Sequence, residues 1–159
     1  MLAKLKVIEN DKGKVLTDSL DLFKFSEERI RERIAELGYS KRAKILVQAF
    51  TDWEVSGLSM PLEQAFFYKR LIESKYDGDD YIVSYLLSKH ASVSVISSGT
   101  YRFVSKNDYE TMLHFFKDSS SKQIVSAFKV TGSWNDLIMV FVKEGLLLNT
   151  PRGFYEWVK

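Results

Sequence analysis

The stretch Pro61-Leu62-Glu63-Gln64-Ala65-Phe66-Phe67-Tyr68-Lys69-Arg70-Leu71-Ile72 decides how the chain is organised. Pro61 suits the first turn of a helix, because the N–H that it lacks would have no partner there. Apolar residues then fall on almost every side of the helix predicted over Leu62–Lys75. A helix that is apolar all round is normally buried. We therefore expect this helix to lie at the centre of the fold.

Further helices and strands are predicted on both sides of this central helix. Helical periodicity and capping residues predict helices over residues 26–37, 40–53, 81–89, 107–116, 122–130 and 134–144. Short apolar runs separated by turn residues predict hairpins within residues 1–17, 92–104 and 146–158, and residues 18–25 form a connector or a short helix. The predicted fold class is mainly α with two or three small β-hairpins, an α+β arrangement.

Length and composition define the broad class of protein. The 159 residues predict a single domain over 1–159, with two lobes, about 1–105 and 106–159, as the alternative. Hydrophobic residues make up 45% of the chain, which is typical of a folded protein. No apolar run approaches the ~18 residues that a membrane span requires. Since no secretion signal is visible either, we expect a cytoplasmic protein with no membrane partner.

Several kinds of chemistry lack the residues that they require. The chain has no cysteine and only two histidines, His90 and His114, which argues against a zinc–thiolate site or an iron–sulfur cluster. No phosphate-binding glycine loop or nucleophile elbow is present. The acidic residues of the segment Asp77–Asp80 are interpreted as a solvated turn. We therefore expect no metal and no catalytic residue, and a role in binding.

The strongest candidate for a binding site is a group of cations that follows Ser40. Lys41, Arg42 and Lys44 fall in the first turn of the helix predicted there, where unpaired N–H groups already attract anions. Phosphate binds well at such helix starts. The alternative is a solvated basic face without a ligand.

A second pair of cations, Lys69 and Arg70, follows the aromatic residues Phe66-Phe67-Tyr68. Aromatic rings interleaved with cations can stack on bases and neutralise phosphates. In the alternative interpretation, the aromatic side chains belong to the core and the two cations are merely exposed.

The segment Ser56–Arg70 resembles part of a known family. Its Gly57, its Leu62-Glu63-Gln64-Ala65 run and its aromatic-Lys ending are similar to a segment of the C-terminal domain of the archaeal and eukaryotic primase large subunit. In that family a basic segment lies upstream, where Lys41-Arg42-Ala43-Lys44 stands in this chain. The family domain holds an iron–sulfur cluster through four cysteines, and this chain has none. It is therefore most similar to cluster-free accessory subunits of archaeal primases.

This resemblance implies a function. It implies a non-catalytic subunit that binds the initiating nucleotide triphosphate or the primer 5′ end and supports primer synthesis in DNA replication. Its partners would be the catalytic and large primase subunits, in a heterotrimer, and the RNA/DNA primer-template, and it would have no cofactor. The implied nucleotide- and primer-binding residues are Lys41, Arg42, Lys44, Asp52, Trp53, Tyr68, Lys69 and Arg70.

Two other functions compete with this hypothesis. The C-terminal order of helix 122–130, glycine turn, helix 134–144 and hairpin resembles a winged helix, which implies a DNA-binding regulator. Against it, the second helix is mostly apolar, and positive charge comes only from Lys143 and, in the hairpin, Arg152. The third possibility is a protein–protein adaptor that docks through exposed aromatic residues.

Overall fold

The computed structural model describes residues 1–10 and 12–159, which divide into two compact units, Met1–Ile96 (unit 1) and Ser97–Lys159 (unit 2). Asp11, in the turn of the first predicted hairpin, lies outside the described residues. The described residues form seven helices and two antiparallel sheets. The α+β class is therefore confirmed, with more strand than the expected two or three small hairpins.

Unit 1 combines a four-stranded sheet with helices. Along the chain its elements are β1 (Leu2–Glu9), β2 (Lys12–Asp21), α1 (Glu27–Glu36), β3 (Lys44–Phe50), β4 (Met60–Pro61), α2 (Leu62–Lys75) and α3 (Tyr81–Ser88), and α4 (Val93–Ser97) ends at the boundary between the units. The strands lie in the order β2-β1-β3-β4. Side chains alternate along β1, where Ala3, Leu5 and Val7 are fully buried. This alternation directs one face of the sheet into the core.

The central helix of unit 1 is confirmed. α2 spans Leu62–Lys75, the bounds that the sequence predicts, and begins directly after Pro61. Its buried side chains lie on several sides of the helix, as expected for an element inside the core, and they are Leu62, Ala65, Phe66, Tyr68, Leu71 and Ile72.

The helix predicted over residues 40–53 is wrong. Residues 40–43 form a turn and Lys44–Phe50 form β3, which pairs with β1 on one side and with β4 on the other. Ile45, Leu46 and Val47 are buried in succession, as in a strand that is covered on both faces. The apolar spacing of this segment fits a helix as well as a strand, and pairing with β1 decides between them.

Two further predictions are corrected. The connector expected from residue 18 is the end of β2, whose pairing with β1 continues to Asp21. The strand expected over residues 92–96 is instead the short helix α4. There the Ser92 hydroxyl accepts a hydrogen bond from the N–H of Val95 (3.4 Å), a local cap that favours a helical turn over extended β-branched residues.

Unit 2 contains three helices and a three-stranded sheet. Its elements are β5 (Thr100–Ser105), α5 (Asp108–Phe116), α6 (Ser121–Thr131), α7 (Trp134–Lys143), β6 (Leu147–Thr150) and β7 (Gly153–Val158). α5 and α7 contact the sheet, while α6 contacts α7. The strands lie in the order β5-β7-β6. Its core contains Met112, Leu137, Ile138 and Leu147, with half-buried aromatic side chains around them.

Candidate functional site

The basic segment after Ser40 forms a turn followed by a strand. The N–H of Ala43 donates to the carbonyl of Ser40 (2.9 Å), and the N–H of Arg42 donates to the Ser40 hydroxyl (3.1 Å). Lys41, Arg42 and Lys44 are all exposed. Because no α-helix begins here within the described chain, the row of unpaired N–H groups that would attract a phosphate is not formed by these residues.

One side of the basic turn, defined as residues 40–44, lies beside carboxylates of α1. Arg31 of α1 donates to the carbonyls of Lys41 and Ala43 in this turn, each at 3.5 Å. The same guanidinium pairs with Glu27 (3.0 Å) and Glu63 (2.6 Å). Lys41 also lines a cleft of about 430 Å³ together with the acidic side chains of Glu27, Glu28 and Glu32. The carboxylates of this cleft oppose the approach of a phosphate to Lys41.

Asp52 and Trp53 hold parts of unit 1 together. Asp52 accepts the N–H of Leu2 (2.9 Å), and its other carboxylate oxygen lies 2.6 Å from the amine of Met1. The indole N–H of Trp53 donates to Asp80 (2.8 Å), and its ring packs on Phe50 with centroids 4.6 Å apart. Their polar groups are therefore engaged within the unit.

The α2 residues of the predicted site are placed differently from one another. Tyr68 is only 1% exposed, and its hydroxyl accepts a hydrogen bond from Gln64 (3.1 Å). Lys69 donates to the carbonyl of Phe23 (3.3 Å) and lies over the ring of Phe66. Arg70 is exposed. Tyr68 is thus a core residue and Lys69 a packing contact, which leaves Arg70 as the accessible cation of this group.

Tyr68 makes the stability of unit 1 depend on pH. Burial raises the pKa of its phenol above the ordinary value of 10, against an opposing effect of the Gln64 hydrogen bond. The folded state therefore disfavours ionisation, so this contribution to stability is fully present below about pH 10 and is lost as the pH rises through the raised pKa. We expect the free energy of unfolding in urea to fall above pH 10, and less steeply in Tyr68→Phe. Equal slopes in the two proteins would contradict this.

A cleft that was not predicted lies at the hairpin of unit 2. We call β6, its turn and β7 the wing (residues 147–158). The wing cleft measures about 510 Å³ and is lined by Phe103, Lys106 and the residues from Asn149 to Tyr155. Lys106 and Arg152 are exposed at it, and Phe103, 47% exposed, contacts Tyr155 edge to face. Two cations, an accessible ring and amide and hydroxyl groups thus meet in one opening.

Tight backbone packing forms this cleft. Gly153 has φ +131°, and a Cβ added there would lie 2.5 Å from the carbonyl oxygen of Ser105. The hydroxyl of Thr150 donates to the carbonyl of Gly153 (2.8 Å), which closes the wing turn. Glycine is required here because a side chain would separate the turn from the end of β5.

α6 and α7, which precede the wing, are joined by a short turn that contains Gly132. α6 begins with a reciprocal cap between Ser120 and Gln123, and it ends at Gly132 with φ +79°. Ser133 then caps α7 by accepting the N–H of Asp136. Two helices joined by a short glycine turn and followed by a hairpin are the element order of a winged helix. α7 exposes one cation at its end, Lys143, among apolar and acidic side chains.

Sequence reasoning could find only part of the wing cleft. Arg152 stands out in a polar turn, whereas Lys106 lies far away in the sequence, directly after β5. The pairing of Ser105 with Phe154 brings the two ends together. Local spacing carries no signal of this pairing.

A comparison of the chain with known protein families, characterised proteins and solved structures finds no match. In the part of the chain that the structure describes, each helix is too short or too polar to cross a bilayer. The same residues contain no group of three or more His, Cys, Asp or Glu side chains placed to hold a metal ion.

Proposed function

We propose that this chain is a non-catalytic nucleic-acid-binding accessory protein, and that the wing cleft of unit 2 is its contact site. The observation that carries the proposal is the meeting of Lys106, Arg152 and the exposed ring of Phe103 at one cleft. Cations next to aromatic rings bind nucleic acid through the phosphates and through stacking on bases. The element order of unit 2 supports the same class, since winged helices contact nucleic acid with their hairpins and helices.

The apolar character of α7 limits the mode of binding. Sequence readout in the major groove uses Arg, Lys, Asn or Gln side chains along the recognition helix. α7 exposes Asn135 and Lys143, together with Asp136 and the apolar Met139 and Val140. We therefore propose contacts to the phosphate backbone, which position a protein without specifying a sequence, and stacking on unpaired bases, which tolerates any base.

The narrower hypothesis is an accessory subunit of a primase that holds an initiating nucleotide triphosphate or a primer 5′ end beside the catalytic and large subunits. The resemblance of Ser56–Arg70 supports this hypothesis. The basic turn adds no support, because its residues form a turn and a strand in place of a helix start, and Lys41 lies in a cleft with three glutamates. A nucleic-acid contact at the wing would also serve such a subunit, since it could hold the primer-template.

Two variants with the same loss of charge test where nucleic acid binds. The first combines Lys106→Ala with Arg152→Ala, and the second combines Arg42→Ala with Lys44→Ala in the basic turn. The probe is a labelled RNA/DNA primer-template with a 5′-triphosphate, titrated at several salt concentrations. We expect the wing variant to bind roughly 10-fold more weakly or worse, and the slope of log affinity against log salt to fall by about 2, since about one counterion is released for each phosphate contact.

The second variant decides between the two sites. We expect its affinity to stay within about twofold of the wild type. A loss confined to Arg42→Ala with Lys44→Ala would overturn the wing assignment and favour the primase-like site. Equal losses in both variants would mean diffuse attraction without a defined site, and that also contradicts the proposal.

A further inference from the structure

One helix of unit 2 leaves its apolar side chains largely uncovered. None of the eleven residues of α6, all of which the structure describes, is buried. Val125 and Val130 are 64% and 86% exposed, and Phe128 is also exposed. A helix in water is normally stabilised by burying one apolar face. Contiguous apolar surface of this kind commonly marks an interaction site.

Some of these side chains line a shallow, open depression. Ile124, Val125, Phe128, Lys129 and Trp134 line a groove of about 480 Å³ between α6 and the start of α7, which we call the α6 groove. Trp134 contacts Phe128 edge to face, with ring centroids 5.2 Å apart, and lies beside Phe116. These ring contacts restrict the side-chain conformations of Trp134 and Phe128. Such anchored aromatic side chains dominate the energetics of many interfaces.

The spacing of the lining residues identifies the shape of the occupant. Ile124 and Phe128 are four residues apart on α6, as are Val125 and Lys129, so the groove runs along one turn of the helix. A second helix fits such a ridge by placing its own side chains, three or four apart, into it.

The charges at the rim select the partner. α6 contains Lys122 and Lys129 and no acidic residue. The nearest carboxylates along the chain are those of Asp118 and Asp136, outside the helix, and Asp136 already accepts a hydrogen bond from the Ser133 hydroxyl (2.6 Å). In a symmetric pair of copies whose two α6 helices pack against each other, the lysines of both copies would lie at one interface. A second copy of this chain is therefore disfavoured.

We infer that the α6 groove binds an amphipathic helix of a partner protein, with apolar side chains in the groove and Glu or Asp side chains paired with Lys122 and Lys129. The groove and the wing cleft share no lining residue. This inference therefore stands apart from the nucleic-acid proposal, and the two can fail separately.

The test uses two labelled peptides and the full chain. One is a helical 18-residue peptide with leucines at spacings of three and four and glutamates along both edges of that stripe. The other is the same peptide with every glutamate replaced by lysine. We expect the acidic peptide to bind at least 10-fold more tightly by fluorescence anisotropy, and Val125→Ser, at a highly exposed position, to weaken it severalfold.

Two control variants and sedimentation of the free chain decide the outcome. Lys122→Glu combined with Lys129→Glu should reverse the preference between the two peptides, and Lys106→Ala with Arg152→Ala should leave it unchanged. Equal binding of both peptides, or no binding of either, would overturn the inference. So would a dimer of the free chain, seen in sedimentation and abolished by Val125→Ser, since a second copy would then be the occupant.

Discussion

Replacing Leu147 by alanine is expected to lower the free energy of unfolding of unit 2 by about 2–5 kcal/mol. Leu147 is fully buried and belongs to the core that also contains Met112, Leu137 and Ile138. The substitution removes the transfer energy of three carbon atoms and leaves a cavity that rigid neighbours fill only in part. Urea unfolding followed by circular dichroism and by tryptophan fluorescence would measure the change.

The neighbouring leucine supplies a matched control for this prediction. Leu146 is 42% exposed, and the same replacement by alanine should cost well under about 1 kcal/mol. Both variants replace one leucine by alanine, so a difference between their free energies of unfolding reports the different burial of the two positions. If Leu146→Ala were as destabilising as Leu147→Ala, the assignment of Leu147 to the core would be wrong.

Gly153→Ala is the second change with a large expected effect. The backbone at Gly153 has φ +131°, and its new Cβ would lie 2.5 Å from the Ser105 carbonyl and 2.9 Å from the Phe103 ring. Strain in such a backbone region costs about 1–3 kcal/mol, and the clash adds to it. Since the clash forces the wing turn away from the end of β5, we also expect weaker binding of the primer-template.

Gly132→Ala separates the loss of stability from the loss of binding. Gly132 has φ +79° at the end of α6, and a Cβ there would meet open space. This variant should lose stability through backbone strain while its affinity for primer-template stays near that of the wild type. If Gly153→Ala bound as tightly as Gly132→Ala, the wing cleft would not be the contact site.

Elements with local signals were predicted well from the sequence. α2 begins directly after a proline, whose fixed φ favours a helix start. α1 and α5 begin at Ser26 and Asn107, each of which accepts a hydrogen bond from an N–H of the first turn. β3 could not be predicted in this way, because its apolar spacing suits a helix equally well. Its strand conformation depends on hydrogen bonds with β1, which lies about forty residues earlier in the chain.

The candidate site was less predictable than the fold, for a related reason. The resemblance implies that Tyr68 and Trp53 bind the ligand. In the structure, the buried Tyr68 hydroxyl accepts a hydrogen bond from Gln64, and the Trp53 indole donates one to Asp80. Only the three-dimensional neighbourhood shows that Lys41 lies in a cleft with glutamates. In contrast, the wing cleft depends on a pairing between β5 and β7, and only one of its two cations stood out in the sequence.

The wing cleft and the α6 groove lie on different elements of the same 63-residue unit, Ser97–Lys159. The two share no lining residue. A partner protein bound at the α6 groove would be tethered to the nucleic acid that is bound at the wing cleft. Its binding to further sites on that strand would then be intramolecular. Its effective concentration there is set by the reach of the tether and lies around the millimolar range for short flexible connections. Two contacts of modest affinity could then recruit a partner as firmly as one strong contact.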